Sequence, residues 1–172
     1  MITIRLARAD DAAALESVGR ETFTETFGHL YPAKDLKAFL DSAHPAENYR
    51  AWIASEAYGV WIAEQDGQAV GYAVAGTCDL PHPEVTSTCG ELKRIYLLNC
   101  AQNSGAGTRL LATCFDWLVK PARRLWIGVW SENYGAQRLY ERHGFTKVGE
   151  YEFPVGEVRD REFILSRESY LK

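Results

Sequence analysis

The order of apolar and polar residues divides this chain into short strands and amphipathic helices. Runs rich in apolar, β-branched and aromatic residues, some with alternating polarity, predict strands. These runs cover residues 3–7, 60–64, 69–74, 91–98, 125–130, 145–153 and 161–165. Asp66-Gly67, between the second and third runs, is typical of a tight hairpin turn. Residues 78–89, which include two prolines, predict a loop before the fourth strand.

Between these strands, apolar residues recur at the spacing of one face of an α-helix. Three such faces are clear: Ala14, Leu15, Val18 and Phe23; then Leu110, Leu111, Cys114, Phe115, Leu118 and Val119; then Ala136, Leu139, Tyr140 and His143. Shorter helical stretches are predicted at 35–42 and 46–54. We expect the polar and aromatic segment 22–32 to interrupt the first helix, and Gly144 to end the last one.

The order of these elements predicts the fold class. A strand, helices, three strands, a helix, a strand, a helix and two strands indicate an α/β (α+β mixed) chain with a mixed central sheet and helices on its faces. The 172 residues fit one domain, 1–172, and contain no repeat, low-complexity segment or linker.

Composition and charge narrow the class of protein. Apolar residues make up 47% of the chain, and 19 Lys and Arg against 23 Asp and Glu give a formal net charge of −4. A mildly acidic chain without a basic run does not favour nucleic acid, and it tolerates cationic substrates better. No apolar run approaches the ~20 residues of a membrane span, and the first residues lack a signal-peptide core. We therefore expect a cytoplasmic protein with no membrane association.

The cysteines and histidines show no metal-site pattern. Cys78, Cys89, Cys100 and Cys114 form no C-x-x-C pair, and the four histidines lack zinc-like spacing. We expect no metal, and we interpret the cysteines as small buried thiols of a reducing compartment.

The most informative stretch is the glycine-rich segment from Gln102 to Gly107. It joins the strand at 91–98 to the helix that carries Leu110. A strand that enters a helix through two glycines leaves backbone N–H groups unpaired at the positive end of the helix dipole. Because Gly105 and Gly107 have no Cβ, phosphate oxygens can approach the main chain closely. A plain strand-to-helix turn is the alternative for the glycines alone.

With these motifs the chain resembles the GNAT superfamily of N-acetyltransferases. In that superfamily, Q/R-x-x-G-x-G/A follows the fourth strand and binds the pyrophosphate of acetyl-CoA; here it is Gln102 to Gly107, without departure. A second signature matches Asn133 at the start of a helix, Tyr140 seven residues later, and Gly144-Phe145. Seven residues are two helical turns, so Asn133 and Tyr140 share a face.

The resemblance covers the chain from its first strand to about Leu165 and implies a fold. It implies a mostly antiparallel sheet in which parallel strands four and five splay apart, flanked by helices. It also implies that acetyl-CoA is the co-substrate and lies in the gap between those strands. The residues implied to bind it are Ile95, Tyr96 and Leu97 by main-chain groups, then Asn103, Ser104, Gly105, Ala106, Gly107 and Thr108 at the pyrophosphate, and Asn133 and Tyr140.

Two catalytic roles follow from the resemblance. Tyr140 resembles the general acid that protonates the departing CoA thiolate; a core tyrosine on an amphipathic helix is the alternative. Ribosomal-protein N-terminal acetyltransferases place a Glu on the fifth strand where this chain has Gly128, so we expect the base elsewhere. Glu91 lies eleven residues before Gln102, the spacing of the fourth-strand glutamate in histone acetyltransferases of the superfamily. A Glu91 that only pairs with Lys93 or Arg94, or a base made of water alone, stays open.

Several local strings resemble the bacterial spermine/spermidine acetyltransferases of the PaiA type. They are residues 24–31, 91–97 and 125–130. The resemblance implies that the first helices wall the acceptor groove, where Glu21, Glu25, Tyr31 and Trp130 would bind a flexible polycation by charge and cation–π contact. Glu21 and Glu25 as a solvated helix face is the alternative.

Three functions are therefore considered. The first is acetyl transfer to a small amine, with polyamines as the leading class and no nucleic-acid partner. The second is the same chemistry on a protein N-terminus or lysine. The third is a noncatalytic acyl-CoA-binding sensor, against which the intact Tyr140 argues. A homodimer, common in the superfamily, is a further expectation, with the C-terminal strand as a contact.

Overall fold

The chain builds its core on one seven-stranded sheet. The structure, a computed structural model, describes residues 1–119 and 123–168. Of the predicted domain 1–172, residues 120–122 and 169–172 lie outside this description. The strands are β1 Ile2–Leu6, β2 Gly59–Gln65, β3 Gln68–Thr77, β4 Gly90–Leu97, β5 Arg124–Trp130, β6 Thr146–Val155 and β7 Val158–Glu168. The helices are α1 Ala12–Phe27, α2 Ala33–Ala43, α3 Ala46–Ala54, α4 Ala106–Leu118 and α5 Tyr134–Arg142.

The strand order is β1-β2-β3-β4-β5-β7-β6. Only β4 and β5 are parallel neighbours; the other neighbours in the order are antiparallel. A parallel pair needs a crossover, and α4 supplies it between β4 and β5. The predicted mixed, mostly antiparallel sheet is confirmed.

Helices cover both faces of the sheet. Neighbouring β2 residues point to opposite faces. The Trp61 ring packs edge-on against Trp117 of α4, with 5.9 Å between ring centroids. Ile62 pairs with Tyr72 of β3, and the Tyr72 ring packs edge-on against Tyr49 of α3 at 5.7 Å. The sheet is therefore buried between α4 on one side and α1 with α3 on the other.

The predicted interruption of the first helix at residue 22 is wrong. α1 continues to Phe27 and passes into a 3-10 turn at Gly28–Leu30. The hydroxyls of Thr22, Thr24 and Thr26 each donate to a carbonyl one turn earlier, at 2.7 to 2.8 Å. These bonds satisfy the polar side chains within the helix, so the run of threonines does not end it.

Within the described part of the chain, every helix is too short or too polar to cross a bilayer.

Candidate active site

The site begins where β4 and β5 separate. The two strands pair only from Gly90 with Leu125 to Leu92 with Ile127, and then diverge. At the same point β4 carries a bulge: Val74 pairs with Arg94 and Ala75 with Leu92, which leaves Lys93 without a partner in the register. A bulge bends its strand away from a neighbour and interrupts pairing. The splay of strands four and five is confirmed, and it opens a gap in the middle of the sheet.

The gap exposes main-chain groups of β4. Leu98 N–H donates to Val70 O at 2.9 Å, so by alternation Tyr96 also directs its main-chain groups toward β3. Ile95 and Leu97 therefore present theirs to the gap, where none of the described strands pairs with them, although Leu97 O accepts from Gln102 Nε2 at 3.3 Å. Unpaired N–H and C=O groups beside a cavity are sites for a ligand that carries amides. Of the three predicted β4 residues, Ile95 and Leu97 offer backbone to the gap, and Tyr96 offers its side chain.

The gap between β4 and β5 opens into a cavity of about 620 Å³. Residues of α1, β4, β5, α5, β6 and β7 line it, so it joins the fourth-strand opening to the surface between α1 and the β6–β7 hairpin. A cleft of this size suits a bound small molecule. Tyr140 and Asn133 line one part of it, and Tyr31, Trp130 and Glu91 line others.

The glycine-rich segment closes one end of the gap with a helix N-terminus. Gly105 has φ of +80° and is the residue from which α4 starts. Ser104 Oγ donates to Ala101 O at 2.6 Å and accepts from Ala106 N at 3.3 Å. Among the described residues, the N–H groups of Gly107 and Thr108 have no partner. Free N–H groups at the positive end of a thirteen-residue helix fit an anion such as a pyrophosphate.

Gln102 fastens this segment to the end of β4. Its Nε2 donates to Leu97 O at 3.3 Å and to Asn99 Oδ1 at 3.2 Å. Thus the first residue of the predicted motif positions the loop from within the protein.

Helix α5 brings Asn133 and Tyr140 to the cavity. Asn133 Oδ1 caps the helix by accepting from Ala136 N at 3.1 Å, which leaves its amide NH₂ for a ligand. The Tyr140 side chain is buried against the cavity wall, and its hydroxyl has no hydrogen-bond partner among the described residues. Burial raises the Tyr140 pKa well above its usual value, so the phenol keeps its proton. Asn133 and Tyr140 therefore line the same part of the cavity, where the Asn133 NH₂ and the Tyr140 hydroxyl are available to a ligand.

Glu91 lies at the point where β4 and β5 diverge and is buried. Its Oε2 accepts from Lys93 Nζ at 3.0 Å and from Asp79 N at 3.2 Å. Burial raises the pKa of Glu91 to about 7, and the Lys93 ammonium opposes that shift. The sequence analysis gave a catalytic Glu91 and a Glu91 that only pairs with a cation as alternatives. In the structure, the side chain both lines the cavity and pairs with Lys93.

A second carboxylate, Glu162 of β7, was not predicted from the sequence and also lines the cavity. A Cβ built on Gly128 would lie 3.4 Å from Glu162 Oε2 and 3.1 Å from Tyr151 Oη, so these two side chains occupy the space beside the glycine. Burial raises the pKa of Glu162 to about 7. A signal was present: Glu162 has the same strand phase as the buried residues Ile164 and Ser166, and a charged residue on such a face is unusual.

The wall farther from the helix N-terminus is acidic and aromatic. The Tyr31 hydroxyl donates to Asp160, and the Trp130 ring packs edge-on against Phe27 at 5.9 Å. Tyr31, Trp130 and Asp160 all line the cavity. This part of the surface has the carboxylates and rings that bind organic cations.

The predicted substrate residues Glu21 and Glu25 lie outside this cavity. Both side chains are exposed, and Glu25 Oε2 accepts from Asn99 N at 2.8 Å, at the start of the 3-10 turn Asn99–Ala101. A contact of Glu21 or Glu25 with substrate stays a prediction without a geometric argument for it.

The raised pKa of Glu162 predicts a pH-dependent stability. Between its ordinary pKa of 4.5 and its folded pKa of about 7, the folded state binds the proton more tightly than the unfolded chain. The contribution of Glu162 to the free energy of unfolding is therefore fully present below pH 4.5 and is lost as the pH rises through about 7. E162Q has no charge to bury, so we expect its Tm at pH 8 to exceed that of the wild type by roughly 2–4 °C, since the side chain is only partly buried. Calorimetry at pH 5 and pH 8 measures this; an equal Tm difference at both pH values contradicts it.

In the described ranges, no three His, Cys, Asp or Glu side chains lie where they could share a metal ion.

Comparison with known proteins gives consistent matches over most of the chain. The model of the acetyltransferase (GNAT) family matches residues 20–145. An uncharacterized N-acetyltransferase from Lactobacillus delbrueckii subsp. lactis is 30% identical over 156 residues, which is 88% of each chain. The spermine/spermidine N(1)-acetyltransferase of Bacillus subtilis is 24% identical over 143 residues, or 74% of this chain and 93% of that relative.

A solved structure shows the same fold. The PaiA N-acetyltransferase from Thermoplasma acidophilum, in complex with coenzyme A, superposes with a TM-score of 0.75 at 18% identity. The match covers 98% of this chain and 99% of that chain.

Proposed function

The chain belongs to the acetyltransferase (GNAT) family and is an N-acetyltransferase that uses acetyl-CoA, and from this premise we propose that its acceptor is a small polyamine. The observation that carries the proposal is the acidic and aromatic wall of the cavity. The acetyl group would pass directly from the thioester to a primary amine while both substrates are bound.

The charges that line the cavity support a polycationic acceptor. Carboxylates of Asp79, Glu91, Asp160 and Glu162 line it, against the cations Lys93 and Arg94. Both cations are held by the protein. Lys93 pairs with Asp79 at 2.9 Å and Glu91 at 3.0 Å, and Arg94 donates to Ala43 O at 2.7 Å. Among the described residues, Asp160 and Glu162 have no Lys or Arg partner, so their side of the cavity carries negative charge, which suits ammonium groups.

Two of the similar proteins support the same class of acceptor. One sequence relative is named for spermine and spermidine, and one structural neighbour is a PaiA enzyme. Substrate identity changes easily on one fold, so the charged wall is the stronger argument for this chain.

Acetyl-CoA fits the other half of the gap. We propose that the N–H groups from Asn103 to Thr108 hold its pyrophosphate, since those of Gly107 and Thr108 are free in the described structure. Main-chain groups of Ile95 and Leu97 would pair with the amide-bearing arm, and Asn133 would contact that arm through its amide. The Leu97 N–H would stabilise the negative charge that develops on the thioester oxygen, a contribution of about 3–4 kcal/mol in such sites.

Proton transfer then needs a donor and an acceptor. We propose Tyr140 as the general acid, because its phenol is protonated and buried and has no competing partner in the part of the chain that the structure describes. Glu91 is proposed to receive a proton through a bridging water, because its Oε2 is already held by Lys93 and Asp79 N. An ammonium with a pKa near ~10 must lose a proton before it can attack.

The acceptor is tested with a matched series of amines. Butylamine, 1,4-diaminobutane and spermidine present the same primary amine with one, two and three cationic centres. We expect kcat/KM to rise about tenfold with each added charge and to fall with increasing salt, because the wall attracts charge. Thiol release from acetyl-CoA measures the rate. Equal rates across the series, or preference for a short peptide with a free N-terminus, would contradict the polyamine proposal.

We propose the cytoplasm as the place of action, because the four cysteines are free thiols and acetyl-CoA is the co-substrate. A homodimer stays a prediction.

A further inference from the structure

The Glu162 carboxylate lies beside Gly128, together with the side chains of Tyr151 and Leu80. Gly128 lies on β5 beside the gap and lines the cavity. A Cβ there would lie 3.1 Å from Tyr151 Oη, 3.3 Å from Leu80 Cδ2 and 3.4 Å from Glu162 Oε2. The absence of a side chain on Gly128 therefore leaves room for Tyr151 and for a carboxylate from β7 beside the gap.

Strand register fixes this approach. Glu162 is opposite Trp130 on β5 and opposite Tyr151 on β6. Its side chain is thus held at the end of β5 where the gap is widest. β7 lies between β5 and β6, and the Glu162 side chain stands out of the sheet on the face that lines the cavity.

The groups around Glu162 are acidic or phenolic. Burial is the largest cause that raises the pKa values of four phenols on different elements, and the charge of Glu162 is a further cause. The charge of Asp160 raises the pKa of Glu162 itself. The four phenols are Tyr31 before α2, Tyr96 of β4, Tyr140 of α5 and Tyr151 of β6, and Asp160 is on β7 itself. The charges of Glu91 and Asp79 also raise the pKa of Tyr151. Among the described residues, no Lys or Arg pairs with Glu162.

Its bonding differs from that of Glu91. Glu91 Oε2 is held by Lys93 Nζ at 3.0 Å and Asp79 N at 3.2 Å. Within the ranges that the structure describes, Glu162 Oε2 accepts only from Tyr151 Oη, at a long 3.5 Å. A carboxylate that has no cation and few donors is open to an incoming ammonium group.

We propose that Glu162 is the catalytic carboxylate that takes the proton directly from the acceptor's ammonium group, with Tyr151 as its positioning residue. The inference rests on the proposed function, because it assumes an amine acceptor in this cavity. Glu91, whose Oε2 is held by Lys93 and Asp79 N, then receives through a bridging water the proton that Glu162 passes on to solvent.

The proton and bond changes balance. The ammonium gives one proton to Glu162, and the nitrogen lone pair forms the C–N bond at the thioester carbon. The C–S bond breaks, the sulfur takes the Tyr140 proton, and a second nitrogen proton restores the Tyr140 phenol. The amide and the CoA thiol leave, and Glu162 releases its proton to solvent.

E162Q tests this role against a matched control. Glu152 lies on β6, is exposed, and serves as the control E152Q. With spermidine at pH 7, we expect E162Q to lower kcat about 100-fold with an unchanged Kd for acetyl-CoA, and E152Q to match the wild type. The wild-type kcat/KM should fall as pH drops below about 7, and E162Q should lack this acidic limb. Y151F should move the limb to higher pH, because the Tyr151 hydrogen bond lowers the Glu162 pKa.

Opposite results would overturn the role. E162Q with wild-type kcat, or with only a raised KM and the acidic limb intact, removes Glu162 from proton transfer. Loss of the acidic limb of the kcat/KM profile in E91Q but not in E162Q also removes Glu162 from proton transfer.

Failure of the proposed function gives a different result. If the wild type does not acetylate spermidine, the polyamine proposal fails, and the variants are compared on the panel amine or peptide that it acetylates fastest. With any acceptor, ¹³C NMR of carboxyl-labelled glutamate still tests Glu162. A resonance that titrates near pH 7, disappears in E162Q and remains in E91Q supports the inference, and its absence overturns it.

Discussion

Y140F should lose kcat by about 10²- to 10⁴-fold while it binds acetyl-CoA as tightly as the wild type. General acid catalysis contributes a factor of this size. The substitution removes only the hydroxyl, which has no partner among the described residues, and keeps the ring that packs against Phe145 with 6.3 Å between centroids. Neither folding nor the cavity shape should therefore change.

Tyr134 offers the matched control on the same helix. It is 62% exposed and outside the cavity lining, so Y134F should keep wild-type kcat. Pre-steady-state kinetics and calorimetric titration with acetyl-CoA separate turnover from binding. A Y140F enzyme within threefold of wild-type kcat would exclude Tyr140 as the acid, and a parallel loss of acetyl-CoA binding would make it a structural residue.

G105A should weaken acetyl-CoA binding by about tenfold. Gly105 has φ of +80°, where a residue with a Cβ is strained by about 1–2 kcal/mol. The free loop can relax from that strain, but a bound pyrophosphate would require the strained form again. Each 1.4 kcal/mol of that cost is a tenfold change in Kd.

Gly67 separates this effect from a general loss of stability. It has the same φ of +80°, and like Gly105 it has no heavy atom within 4 Å of a built Cβ, but it lies in the β2–β3 turn. G67A and G105A should lower Tm by similar amounts, and only G105A should raise the Kd for acetyl-CoA. Equal Kd values in both variants would contradict the assignment of the glycine-rich segment.

Local patterns in the sequence were enough to predict most of the fold. Alternation and helical spacing located the seven strands, and the parallel pair follows from the helix between β4 and β5. The exception is α1, where threonine hydroxyls bond within the helix at positions that the pattern marked as a break.

The cofactor half of the site was predicted from the family resemblance, and the residues of its motifs are close together in the chain. The segment from Gln102 to Gly107 and the pair Asn133 and Tyr140 each lie within one loop or helix, so spacing alone places their members together.

The acceptor half depends on contacts between distant elements. Glu162 meets Gly128 only through the pairing of β7 with β5, and Tyr31 meets Asp160 across 129 positions. Helical spacing could place Glu21 and Glu25 on α1 but could not tell that Glu25 would turn toward the N–H of Asn99. Sequence reasoning therefore placed Tyr31 and Trp130 at the acceptor side, whereas Asp160 and Glu162 join them there only through the pairing of β7 with its neighbours.

The central claim, acetyl transfer to a small polyamine, is tested most directly by the product. Purified protein is incubated with acetyl-CoA and spermidine, and mass spectrometry quantifies acetylspermidine while a thiol reagent quantifies free CoA. We predict equal amounts of the two products, both greatly reduced in Y140F. CoA released without acetylspermidine, or no release with spermidine beside rapid acetylation of a peptide, would contradict the account.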